Sequence, residues 1–359
     1  MVEPIAWPVH LGEHKIIYQI ILWCLIIFNV IKIYSKYTTI KVCDTMNRKM
    51  LISLGGNAIL KHTDKGTAKE QFDNTRHTSN VIVKLIEQGY HIALTHGNGP
   101  QVGDILLAYD ISKDILPPMP IDVCVAQTQG MIGYMLQLSL LNALKDAKIE
   151  KSVVTILTQT LVNKEDPRLE IPSKPIGPFY TAIEASKLRK EKNWIVVDDS
   201  GRGFRRVVPS PLPIGFIEES SIKSLFDKGE LVIATGGGGI PLIEKEDGNF
   251  QGLEVIVDKD HTSALLASIL DVEILIVLTD VNRVALNYGK SYQEDLDHLI
   301  VSEAKKHLKN GYFPPGSMGP KIESSIDFLK NGGKKAIITS IENVFEALKG
   351  NEGTLITLN

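Results

Sequence analysis

The sequence predicts an α/β fold built on a parallel sheet covered by helices on both faces. Three observations lead there. From Met50 onward, short apolar runs of strand length alternate with amphipathic runs of helix length. The apolar runs end near glycine, aspartate or serine, as strands feeding loops do. The 359 residues are 43% hydrophobic and 23% charged, enough for a large core and inconsistent with disorder.

In chain order, MLISL (50–54) is the first strand and runs into Gly55-Gly56-Asn57. Thr67 with Glu70 makes a capping box ahead of a helix reaching Gln88, which Gly89 can close. HIALTH (91–96) is the next strand, and SVVTIL (152–157), LVIAT (231–235), EILIVLT (273–279) and KAIITS (335–340) follow, with helices between them. Residues 163–213, rich in proline and basic residues, interrupt the alternation and read as a small protruding subdomain inserted in a domain spanning 50–359. No internal repeat or low-complexity tract is present.

The first 49 residues differ from the rest. Between Lys15 and Lys32 the run IIYQIILWCLIIFNVI carries no charge across sixteen residues, short of the ~20 that span a bilayer. Two readings stay open: a membrane helix with the lysine-rich side, and hence the large domain, in the cytoplasm, or a non-native leader preceding a true start at Met46 or Met50.

Lysine and arginine total 39 against 42 acidic residues, a net charge of −3, so no cationic surface for nucleic acid is expected. Cys24, Cys43 and Cys124 form no CxxC pair, which suits a reducing, cytoplasmic compartment and excludes a thiolate metal site.

Three glycine-rich turns follow strands: Gly55-Gly56-Asn57, Gly97-Asn98-Gly99-Pro100 and Gly236-Gly237-Gly238-Gly239. Glycine lets backbone N–H groups approach an anion closely, and a helix N-terminus behind them adds positive potential. None matches a dinucleotide or P-loop fingerprint. Lys259, between Asp258 and Asp260, and Lys321, after Gly316, Gly319 and Pro320, each precede a helix. A cation there is electrostatically disfavoured unless an anion joins it. Lys174 in PSKPIGPFY is a third candidate.

The motifs SLGGNAIL, THGNGPQVGD, GYMLQ, KPIGPFY, GRGFRRVVPSP, GGGGIPLI, VDKD, LTDV and GSMGPK occur in the order seen in carbamate kinases, so residues 50–359 resemble that branch of the amino acid kinase family. The resemblance implies a three-layer αβα sandwich, a homodimer, and reversible phosphoryl transfer between ATP and carbamate giving ADP and carbamoyl phosphate, with Mg²⁺ bridging the nucleotide phosphates. It implies that Gly55, Gly56, Asn57, Gly97, Asn98 and Gly99 hold the acceptor and the transferring group. Gly237, Gly238, Thr279, Asp280 and Met318 fall in nucleotide-binding stretches, Lys259 and Lys321 neutralise charge, Asp258 orients the lysines, and Lys174 closes over the acceptor. Because carbamate is already an anion, no histidine base is required, and His96 and His261 are read as structural. Two alternatives stay open: a family member acting on another small acid or phosphate, and a nucleotide-binding regulator without catalysis.

Overall fold

A computed structural model describes residues 48–61, 63–198, 203–314 and 316–359, with the backbone alone at Asn57. The chain divides after Met46, and every described residue belongs to the unit that follows. The apolar run at 16–34 lies outside the described residues; among these, no helix is long and apolar enough to cross a membrane.

The first strand, β1 (Arg48–Leu54), is followed by α1 (Ala68–Glu87), β2 (Tyr90–His96), α2 (Gly99–Ser112), α3 (Ile121–Asp146), β3 (Val153–Thr155) and β4 (Gln159–Val162). The inserted region supplies β5 (Lys174–Tyr180), α4 (Ala182–Lys192), β6 (Val196–Asp198) and β7 (Phe204–Val208). The chain returns through β8 (Pro213–Phe216), α5 (Glu219–Asp227), β9 (Leu231–Ile233), β10 (Ile240–Glu244) and β11 (Phe250–Gly252). Then come α6 (Lys259–Ile269), β12 (Ile274–Leu278), β13 (Val284–Leu286), β14 (Glu294–Leu296) and β15 (His298–Ile300). The last elements are α7 (Val301–Lys309), α8 (Met318–Lys330), β16 (Lys335–Thr339), α9 (Val344–Lys349) and β17 (Thr354–Thr357).

An eight-stranded sheet runs β15-β17-β16-β12-β1-β2-β9-β3. Its pairings from β16 through β3 are parallel, and β17 is antiparallel to β16. The six strands expected from sequence all lie in this sheet, because strands buried on both faces read as continuous apolar runs. Helix α1 carries the expected capping box: the Thr67 side chain accepts from the Glu70 N–H, and Glu70 accepts from the Thr67 N–H.

Side-chain alternation sends successive residues of each strand to opposite layers. Met50, Ile52 and Leu54 pack with α1, α3 and α9, including Ile82, Leu136 and Val344. Leu51 and Val277 pack with α5, α6, α7 and α8, including Phe226, Leu266 and Ile322. Each such fully buried side chain contributes about 1.5–3 kcal/mol relative to exposure. The result is an αβα sandwich in three layers.

Strands β5, β7 and β6 form a separate antiparallel sheet. It docks on the body through Ile176 and Val208, which join Val102 of α2 and Val125 of α3 in a third apolar cluster. Cys124, in the same cluster, is fully buried, and burial pushes its thiol up to about 11, so it is an inert packing residue.

Candidate functional site

In an open α/β sheet, ligands bind where strand order reverses, beyond the carboxyl ends of the strands. Here β1 leads sideways to β2 while β12 leads the opposite way to β16, so the crevice lies between β1 and β12. The three glycine turns follow β1, β2 and β9, which are consecutive neighbours in the sheet. That adjacency gathers motifs separated by more than 170 residues of sequence onto one edge.

The glycines divide into two kinds. A Cβ on Gly55 would sit 2.6 Å from the Leu278 carbonyl oxygen, and one on Gly238 would strike the Val257 carbonyl, so these positions demand glycine for close backbone approach. Gly237, likewise, has no room beside the Asn98 amide. By contrast, a Cβ on Gly56 or Gly99 would meet nothing within 4 Å. The turn at Gly97 faces Lys259: a Cβ there would lie 3.6 Å from that lysine's Cδ and 3.8 Å from the Gly56 nitrogen. Gly56, Gly97 and the Lys259 side chain are therefore neighbours. Asn98 is buried, and its amide donates to Thr128 Oγ1 at 2.8 Å. The side chain of Asn57 lies outside the described residues.

Lys259 and Lys321 converge from different helices. Lys259 opens α6 and Lys321 lies in the first turn of α8, and both ammonium groups reach one carboxylate: Lys259 Nζ is 2.7 Å from Asp260 Oδ1 and Lys321 Nζ is 2.8 Å from Asp260 Oδ2. The three side chains are only 12%, 14% and 5% exposed. Burial opposes ionisation of Asp260, but the two lysine charges hold its carboxyl far below the usual carboxylate range. Burial lowers the Lys259 pKa, with Asp260 opposing and the Lys321 cation adding to the fall. For Lys321, burial is outweighed by the Asp260 charge and hydrogen bond, and its pKa rises.

Asp258, expected to orient Lys259 and Lys321, is paired instead with Lys174. One of its oxygens accepts the Asp260 N–H at 2.8 Å, capping α6, and the other accepts from Lys174, which reaches in from the start of β5. Burial opposes its ionisation, yet Lys174 keeps its pKa low. Asp258 thus orients Lys174, and Asp260 orients Lys259 and Lys321. Sequence reasoning passed over Asp260, although an acid in the first turn is what a lysine at a helix start requires. The small three-stranded sheet meets the body at a second point, where Gly103 of α2 leaves no space for a side chain against Gly177 of β5.

Thr279 and Asp280 lie at the carboxyl end of β12, where Thr279 Oγ1 donates to Asp280 Oδ1 at 3.0 Å, and the Asp280 charge acts on Lys321. They line a cavity of about 290 Å³ with Gly55, Asn74, Thr78 and Ser340; Lys259 and Lys321 do not line it. Met318 begins α8 and leans on the apolar core. His96 is fully buried and shares a hydrogen bond with the Gly97 carbonyl; burial drops its pKa to about 4, leaving a neutral ring unsuited to proton abstraction near neutrality. His261 lies 3.6 Å from Glu323 of α8, with its side chain 16% exposed.

The arrangement concentrates one excess positive charge, three lysines against two aspartates, beside backbone N–H groups and two helix N-termini. Such a site suits an anion that gains charge during reaction.

Relatives share this architecture and its sequence. The carbamate kinase of Pyrococcus horikoshii is 48% identical over 314 residues, 87% of this chain and all of that protein. The carbamate kinase of Trichomonas vaginalis is 41% identical over 313 residues, again covering 87% of this chain and all of its own length. A solved carbamate kinase from Giardia lamblia bound to AMP-PNP superposes with a TM-score of 0.79 at 40% identity, covering 87% of this chain and 99% of that one. The amino acid kinase family profile matches residues 48–340, and with these relatives it establishes that the chain belongs to the amino acid kinase family, among its carbamate kinases.

Proposed function

We propose that this protein transfers a phosphoryl group reversibly between ATP and the oxygen of carbamate, with Lys259 and Lys321 stabilising the group in flight. The observation that carries this reading is the sharing of Asp260 by two buried ammonium groups beside the Gly56 and Gly97 turns. Phosphoryl transfer passes through a loose transition state, so catalysis consists of alignment and neutralisation of spread charge, which this cluster supplies without a base.

In this reading the turns at Gly55-Gly56-Asn57 and Gly97-Asn98-Gly99 hold the acceptor and the transferring group. Gly237, Gly238, Thr279, Asp280 and Met318 serve the nucleotide; the cavity lined by Thr279 and Asp280 supports those two positions, and Gly237, Gly238 and Met318 do not line it. Lys174, on the small sheet, closes over carbamate. Mg²⁺ would be carried by the ATP phosphates, where it neutralises charge; Asp258 and Asp260 already spend their carboxylates on lysines. The working form in this proposal is a cytoplasmic homodimer. Tyr134 and Leu141 on α3, with Leu157 beside it, are 59%, 42% and 52% exposed and give an apolar face for a second copy, which light scattering on the full chain checks.

The activity is tested by following ATP formation from ADP and carbamoyl phosphate in a coupled assay on the full chain. Turnover with carbamoyl phosphate, and none with acyl phosphates of other small acids, is expected. Nucleotide binding without turnover would favour a regulatory role.

A further inference from the structure

Ser53 stands out as a polar residue on the apolar strand β1, fully buried among neighbours that pack the core. Alternation along β1 places it with Leu51 on the α6 side of the sheet. Lys259 Nζ donates to Ser53 Oγ at 2.9 Å, and Ser53 and Ser263 place their hydroxyl oxygens 2.8 Å apart. Ser263, one turn along α6, has its oxygen 2.6 Å from the Lys259 carbonyl. That carbonyl can only accept, so the single Ser263 proton goes to it, and the Ser53 proton goes to Ser263. The bonds close a ring from the Lys259 ammonium, through two hydroxyls, to the backbone carbonyl of the same lysine.

We infer that Ser53 and Ser263 are positioning residues that lock the Lys259 ammonium in the orientation used for phosphoryl transfer. Lysine carries a flexible four-carbon stem whose rotamer freedom works against any one fixed direction of its ammonium. Asp260, the next residue, fixes one proton direction only. Tying the ammonium to β1 as well ties it to the strand whose end carries Gly55 and Gly56, so the charge and the anion-holding turn move as one body. The inference rests on the proposed role of Lys259, and its test separates the two.

The test is a double-mutant cycle on the full chain: Ser53→Ala, Lys259→Ala and the pair, with kcat, KM and Tm measured for each. Loss of a hydrogen bond to a charged group predicts a fall in kcat of about tenfold for Ser53→Ala, with the KM for ADP little changed. In the Lys259→Ala background the Ser53 change should alter kcat by less than about twofold, because nothing is left to position. Ser263→Ala should resemble Ser53→Ala and not add to it. A further readout is the alkaline limb of the kcat profile. Asp260, Lys321, Asp258 and the neutral His96 also act on Lys259, and they remain in Ser53→Ala. Removing the acceptor disfavours the ammonium, so the limb moves to lower pH. Equal losses with and without Lys259, or an unmoved limb, would overturn the positioning role. A Lys259→Ala enzyme as active as wild type would instead overturn the role of Lys259 itself.

Discussion

Replacing Lys259 with alanine separates charge stabilisation from folding. Its ammonium lies 2.7 Å from Asp260 Oδ1. Two unit charges at that separation attract by about 6 kcal/mol at an effective dielectric of about 20. The variant does not strand the carboxylate, because Lys321 stays 2.8 Å from its other oxygen. The cluster moves from one excess positive charge to neutrality, and the repulsion between the two lysines disappears. The fold is therefore expected to hold, with Tm shifted by no more than a few degrees. The loss falls on the reaction. One preorganised donor aimed at developing charge is worth about 2.7–4 kcal/mol, or two to three powers of ten in kcat. The assay is coupled ATP formation from ADP and carbamoyl phosphate, with thermal unfolding followed by circular dichroism. A kcat within about threefold of wild type at an unchanged Tm would refute the reasoning.

Three further outcomes follow from the same geometry. Asp260→Asn leaves two buried ammonium groups facing a neutral amide and should cost about 3–5 kcal/mol of stability, read as a lower urea midpoint at unchanged m-value; an unshifted midpoint contradicts it. Lys174→Ala should raise the KM for carbamate severalfold more than the KM for ATP if β5 closes over the acceptor, and unchanged carbamate kinetics dismiss the closure. His96 titrates near 4 when folded against 6.5 when unfolded, so the unfolded chain takes the proton first as pH falls. Its stabilising contribution is complete above 6.5 and is lost between 6.5 and about 4, about 3 kcal/mol in all. Urea midpoints across that range should fall less steeply in His96→Gln than in wild type, and parallel slopes would assign the loss elsewhere.

Much of the architecture was written in local pattern. The central strands were legible because burial on both faces makes a strand such as ILIVL of β12 apolar throughout. The capping box of α1 was legible because it depends on residues three apart. The short strands β4, β8, β10 and β11 were not, since QTLV, PIGF, IPLIE and FQG break their apolar residues with proline, glycine or polar side chains and so read as loops. At the site, the lysines and glycine turns announced themselves by type and neighbourhood. Which aspartate serves which lysine did not, because Lys321 lies 61 positions from Asp260 and meets it only when α6 and α8 dock. Ser53 was hidden for a simpler reason: one hydroxyl in an apolar strand looks like a tolerated substitution until the partner helix is in place.

The most direct test is a crystal structure of the full chain with ADP, aluminium fluoride and carbamate, a mimic of the phosphoryl group between donor and acceptor. The account predicts the fluoride group within hydrogen-bonding distance of both Lys259 Nζ and Lys321 Nζ, against the backbone of the Gly55-Gly56 and Gly97-Asn98-Gly99 turns. A fluoride group bound away from either lysine, or the two ammonium groups directed to separate cavities, would contradict it.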